Sequence, residues 1–201
     1  MKKVLCFGDS NTYGFIPGSA GRYDINTRWS GILKKLSANK FDVTEAGCNN
    51  RTAFCNNPAG IEQTGFKILP ELLKKPYDIV ILAIGINDLQ FFFSPSEKEI
   101  EEGIENLVEI VKTKCENAEI LLVAPSVLSE NVLCGYFSSM FDRTSIEKSY
   151  LLANIYKRIS IKYNTGYIDL NTIAGVSEID GLHYEPGAHK KIAQAVFDSL
   201  E

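Results

Sequence analysis

Two periods alternate along the chain. Short apolar runs, most of them rich in β-branched residues, at residues 3–7, 41–45, 78–84, 119–124 and 166–170 read as strands. Between them, apolar positions recur at three- and four-residue intervals over residues 29–37, 61–73 and 145–163, and again from near Pro186 to about Leu200. These stretches predict helices, the last one opening on a proline that the first helical position tolerates. A further helix has the sharpest start: Ser96 and Glu99 stand at capping-box spacing ahead of Ile100, Ile104, Leu107, Val108 and Val111. The run at 78–84 is the most apolar, as expected of a central strand covered on both faces.

Regular alternation of strand and helix predicts an α/β fold with a parallel sheet and helices on both faces, three layers in all. Right-handed crossovers leave few arrangements, and the expectation is a flavodoxin-like, five-stranded sheet in the order 2-1-3-4-5. With 201 residues, residues 1–201 are expected to form one domain whose core needs neither disulfides nor metals. In such a sheet a ligand site belongs at the carboxyl ends of the strands, near the switch in strand order.

Charge and cysteine content narrow the classes. A formal charge of −4 argues against a nucleic-acid partner. The apolar run after Met1 is too short for the core of a signal peptide, and no stretch approaches the length that spans a bilayer. Five cysteines, Cys6, Cys48, Cys55, Cys115 and Cys134, form no metal-ligand spacing and read as reduced thiols of a cytoplasmic protein. No metal or organic cofactor is expected. Homo-oligomerisation stays open.

Four segments carry chemistry, and each follows a strand or precedes the last helix. Gly8-Asp9-Ser10-Asn11 puts a serine where the first strand gives way, with its hydroxyl toward the crevice and Asp9 as a structural carboxylate. Asp180-Gly181-Leu182-His183 supplies an imidazole and a carboxylate from one loop. A serine hydroxyl needs such a base, and the base needs a partner to fix its tautomer. The other histidine of the two, His189, lies inside the last helix, where packing or capping is expected. Gly85-Ile86-Asn87-Asp88 follows the central strand. Asn87 offers a neutral donor for an oxyanion, and Asp88 an anchor for the loop. Gly47-Cys48-Asn49-Asn50-Arg51-Thr52, after the second strand, can aim a backbone N–H into the same crevice. Together the segments supply every part that acyl transfer requires.

These segments, in this order, resemble the four signature blocks of the SGNH (GDSL-type) hydrolase superfamily, and the resemblance covers nearly the whole chain. The Arg51-Thr52 pair and the segment Ser94-Pro-Ser-Glu look closest to its bacterial arylesterase-like branch. The resemblance implies a serine esterase acting on small carboxylic esters through an acyl-enzyme. Ser10, Asp180 and His183 are then the triad, and the Ser10 and Asn50 backbone N–H groups with the Asn87 amide are the oxyanion donors. Asn50 stands where the family usually has glycine or alanine, and Ile86 where a small polar residue is common. The first departure bears on substrate size.

The substrate is the open point: short acyl or aryl esters, acetylated sugars, thioesters and lysophospholipids all fit the same triad. A non-catalytic small-molecule binding module and a flavin or nucleotide binder are the rivals from other classes. Residues 126–144, long and apolar, are expected to form a lid, a pocket wall, a subunit contact or a helical segment packed on the core. Phe91, Phe92 and Phe93 are candidates for the pocket mouth, with at least one ring expected in the core. Arg28 and Trp29 are placed near the cleft by the resemblance.

Overall fold

A computed structural model describes residues 1–19 and 21–201. Its strands are β1 (Lys2–Gly8), β2 (Phe41–Gly47), β3 (Ile79–Ala83), β4 (Glu119–Ala124) and β5 (Gly166–Asp169). They form one sheet in the order β2-β1-β3-β4-β5, and every neighbouring pair is parallel. The flavodoxin-like order expected from the alternation is the order found.

Successive side chains of a strand point to opposite faces, so the sheet builds two cores. On one face Val4, Cys6, Ile79, Ile81, Leu121 and Val123 pack against helices α2 (Trp29–Leu36) and α6 (Pro186–Leu200). On the other face Leu5, Phe7, Val80, Leu82, Ile120 and Leu122 pack against α3 (Gly65–Leu72), α4 (Glu97–Lys114) and α5 (Arg143–Tyr163). All five residues of β3 but Ala83 are buried, as befits the middle of the sheet.

The predicted capping box of Ser96 and Glu99 starts α4. A second box, between Asp142 and Ser145, starts α5 two residues before the apolar pattern does. Helix α3 is shorter than its periodicity suggests. Residues 61–64 are held in a turn instead: Thr64 donates its hydroxyl to the Gly60 carbonyl at 2.9 Å, and Gln63 accepts the Thr52 N–H at 2.9 Å. A four-residue helix, α1 (Ser10–Tyr13), was not legible, because one turn is too short to show a period.

Residues 126–144 contain two 3-10 turns, Glu130–Leu133 and Gly135–Ser139, joined by extended backbone, and end in the first two residues of α5. Leu128, Val132 and Phe141 anchor the segment in the core beside α5. Arg28 and Trp29 serve the fold. Arg28 makes a bidentate pair with Glu45 at 2.6 and 2.8 Å, and Trp29 is buried under the sheet.

Candidate active site

The turn after β1 is organised by Asp9. Its carboxylate accepts the Asn11 N–H at 2.9 Å and caps α1, which leaves Ser10 at the carboxyl edge of the sheet. Burial pushes the Asp9 carboxyl up to about 7, against the pull of the Asn11 N–H and Arg51. The loop before α6 is organised in the same manner by Asp180, whose Oδ1 accepts the N–H groups of Leu182 and His183 at 3.1 and 3.0 Å. Gly181 makes this turn with φ of +69°, and a Cβ there would lie 2.3 Å from the Val132 nitrogen. The two loops, 171 residues apart in sequence, are joined by a hydrogen bond from Asn11 Nδ2 to the Leu182 carbonyl at 3.2 Å.

The outcome is a continuous chain of three side chains. His183 Nδ1 lies 2.8 Å from Asp180 Oδ2, and His183 Nε2 lies 2.9 Å from Ser10 Oγ. All three residues are buried. Burial disfavours the charged form of Asp180, but the His183 ring and the backbone N–H groups of His183 and Leu182 outweigh it and hold the carboxyl below its usual range. An ionised carboxylate only accepts, so Nδ1 carries the proton and Nε2 turns its lone pair to the Ser10 hydroxyl. Phe15 stacks on the imidazole with centroids 4.3 Å apart and planes at 30°, and Phe137 approaches at 5.2 Å.

The other two segments meet at the same edge. Arg51 is buried and donates to the carbonyls of Gly8, Ala46 and Glu62 at 3.0, 2.5 and 2.7 Å, so it ties the ends of β1 and β2 to the loop beyond. Asp88 accepts the N–H groups of Ala53, Phe54 and Cys55 at 2.6, 2.9 and 2.8 Å, the anchoring role expected of it. Burial pushes its carboxyl up to about 6 all the same. Asn87 donates from Nδ2 to the Arg51 carbonyl at 3.1 Å. Asn50 has φ of +59°, a left-handed conformation that glycine adopts freely and asparagine tolerates better than most residues. Among the described residues, neither the Ser10 nor the Asn50 backbone N–H has a hydrogen-bond partner.

Ser10, Asn50, Asn87 and His183 line one cleft of about 190 Å³. Its apolar wall comes from Phe15, Leu182 and the segment 126–144, through Phe137, Met140 and Phe141. That segment is therefore a pocket wall that is also rooted in the core. The three-phenylalanine run departs from expectation. Phe91 and Phe92 are 45% and 52% exposed, Phe93 is half-buried, and none of the three lines the cleft. They stack on one another instead, at centroid distances of 5.7 and 4.5 Å. Phe15 and Gln90 escaped the sequence reading. Phe15 follows the serine turn with no pattern of its own, and Gln90 carries only the weak signal of a polar residue between Leu89 and three phenylalanines.

Among the described residues no group of three or more His, Cys, Asp or Glu side chains is placed to hold a metal ion, and no helix is long and apolar enough to cross a membrane. The model of the GDSL-like lipase/acylhydrolase family matches residues 6–190. No curated protein sequence matches the chain. Among solved structures, the carbohydrate acetylesterase Est24 from Sinorhizobium meliloti is 28% identical with a TM-score of 0.92, over 100% of this chain and 98% of that one. An aryl esterase from Mycobacterium smegmatis is 26% identical with the same TM-score of 0.92 and the same coverage, 100% and 98%. A second carbohydrate acetylesterase family member from Sinorhizobium meliloti reaches 30% identity at a TM-score of 0.90, over 100% and 97% of the two chains. A family match over nine-tenths of the sequence, on a fold held in common with known esterases, decides against the flavin and nucleotide binders: the chain belongs to the GDSL-like lipase/acylhydrolase family and is a serine ester hydrolase.

Proposed function

We propose that residues 1–201 act as one catalytic domain that hydrolyses esters of short acyl chains, with Ser10 as nucleophile, His183 as general base and acid, and Asp180 as the group that orients the imidazole. The observation that carries the reading is the unbroken run Asp180 Oδ2–His183–Ser10 Oγ, with both links at 2.9 Å or less. His183 Nε2 takes the proton of Ser10 as Oγ bonds to the ester carbonyl carbon. The negative charge that forms on the carbonyl oxygen meets the Ser10 and Asn50 backbone N–H groups and the free hydrogen of Asn87 Nδ2. Collapse breaks the bond to the leaving alkoxide, which takes the proton from His183. Water, deprotonated by His183, then displaces the acyl group, and Ser10 regains its proton.

A cleft of about 190 Å³ walled by Phe15, Phe137, Met140, Phe141 and Leu182 favours an acyl group of a few carbons, acetyl first. Aromatic side chains at the mouth, Tyr136 among them, suit an aryl alcohol. The likeness to carbohydrate acetylesterases, and the polar rim of Asn49 and Asn50, support an acetylated sugar as the second reading. All five cysteines are free thiols, which fits a reducing compartment such as the cytoplasm.

A fluorophosphonate probe tests the nucleophile, because only an activated serine reacts. Stoichiometric labelling of the protein, abolished in Ser10→Ala, is the expected result. Labelling that persists in Ser10→Ala refutes the assignment. A series of p-nitrophenyl esters of rising chain length then tests the acyl pocket, with kcat/KM expected to be highest at acetate or propionate.

A further inference from the structure

Asn87 is useful to an oxyanion only if its amide faces the right way, and an amide has two ways to lie. The Arg51 carbonyl accepts and never donates, so the Asn87 atom 3.1 Å from it is Nδ2. The Asn87 carbonyl oxygen therefore points to the opposite side, and there it lies 3.1 Å from Gln90 Nε2. The same Nε2 lies 2.8 Å from Asn50 Oδ1. One NH2 group has two hydrogens, and here each has its own acceptor. Of the two hydrogens on Asn87 Nδ2, one is spent on Arg51 and the other is left for the cleft.

We propose that Gln90 is a positioning residue of the oxyanion site, its single buried NH2 group clamping the side-chain oxygens of Asn87 and Asn50 at once. Gln90 is fully buried, and its Oε1 has no hydrogen-bond partner among the described residues. An apolar side chain in its place would avoid that uncompensated desolvation but would leave the side-chain oxygens of Asn87 and Asn50 without their donor, so the amide is kept for what it holds. The clamp also reaches the loop of Asn50, whose left-handed backbone sets where the second N–H donor points. A turn directly after β3 and a loop directly after β2 are thereby locked to each other across 40 residues of sequence. Gln90 does not line the cleft, so it acts through its two neighbours.

The proposal rests on the reading of Asn87 as an oxyanion donor, and a double-mutant cycle on p-nitrophenyl acetate separates the two. Gln90→Met keeps length and removes the clamp. It is expected to lower kcat roughly tenfold to a hundredfold while KM moves by less than about threefold. In an Asn87→Ala background, itself down by roughly 10²–10³, the same change is expected to cost at least about threefold less than it costs alone, since one of the two groups it positions is gone and only its hold on Asn50 is left to lose. Gln90→Glu, which keeps the shape and removes one or both donors, serves if Gln90→Met does not fold, and the same loss is expected. A folded Gln90 variant with unchanged kcat, or one whose loss multiplies in full with that of Asn87→Ala, overturns the clamp and leaves the Asn87 assignment standing. An Asn87→Ala enzyme at full activity overturns both.

Discussion

The two histidines lie six residues apart and both are buried, yet their surroundings are opposite in kind. His183 sits between a carboxylate and a hydroxyl, at 2.8 and 2.9 Å. His189 accepts the Trp29 N–H through Nδ1 at 3.3 Å, and its Nε2 has no hydrogen-bond partner among the described residues. Tyr23 and Tyr184 meet its ring edge-on at centroid distances of 5.3 and 6.0 Å. Burial, with the neighbouring His183 adding to it, pushes the His189 imidazole down to about 4, so at neutral pH it is an uncharged spacer that caps the start of α2. Burial alone does not make a base. What distinguishes His183 is a carboxylate that fixes its tautomer and a hydroxyl whose proton it can take.

The contrast is easiest to break at the proposed catalytic end. His183→Asn is expected to lower kcat by about 10³-fold or more with a cooperative melting transition retained. His189→Asn, measured per folded molecule, is expected to keep most of the activity. Equal losses in the two variants would dissolve the distinction. Asp180→Asn comes next. It keeps the shape of the loop but lets the imidazole take the wrong tautomer, and a loss of roughly 10³–10⁴-fold in kcat is expected with fluorophosphonate labelling slowed in parallel.

A smaller effect sharpens the structural side. The unfolded chain binds a proton on His189 near its ordinary 6.5, whereas the folded chain holds that proton off until about pH 4. The stability that neutral His189 contributes is therefore complete above about pH 6.5 and is lost as pH falls through about 4. Asp9 and Asp88, raised to about 7 and 6, act in the opposite sense over much of that window, since their protonated forms are favoured by the fold. The test is a difference between two proteins: His189→Gln should remove about 1–2 kcal/mol of the acid-side loss between pH 7 and 5 in denaturant titrations. Identical slopes for the two proteins would show that His189 does not titrate as described. The smallest effect belongs to Asn50→Gly. A φ of +59° suits glycine and the backbone N–H is kept, which offsets the loss of one arm of the Gln90 clamp, so stability should change by only about 1 kcal/mol. Activity toward longer acyl chains should rise as the side chain leaves the cleft, and an unchanged chain-length profile would show that Asn50 does not limit the pocket.

Much of this molecule was written in local pattern. Five apolar runs and the periods between them marked the strands and the longer helices, because side-chain alternation in a strand and a three-to-four repeat in a helix depend only on near neighbours, and the handedness of the crossovers turned that alternation into the parallel order. The four chemistry-bearing segments were legible for the same reason, each being a short turn after a strand or before a helix. Tertiary structure alone decided the rest. The stacking of Phe15 and Phe137 on His183 joins three segments far apart in sequence, and the apolar run at 126–144 gave no sign that it would wall a cleft and not cover one. Gln90 stayed unmarked in the sequence, because its two acceptors lie 3 and 40 residues away. An amide declares its orientation only when its partners are assembled around it, and these partners come together at the carboxyl edge of the folded sheet.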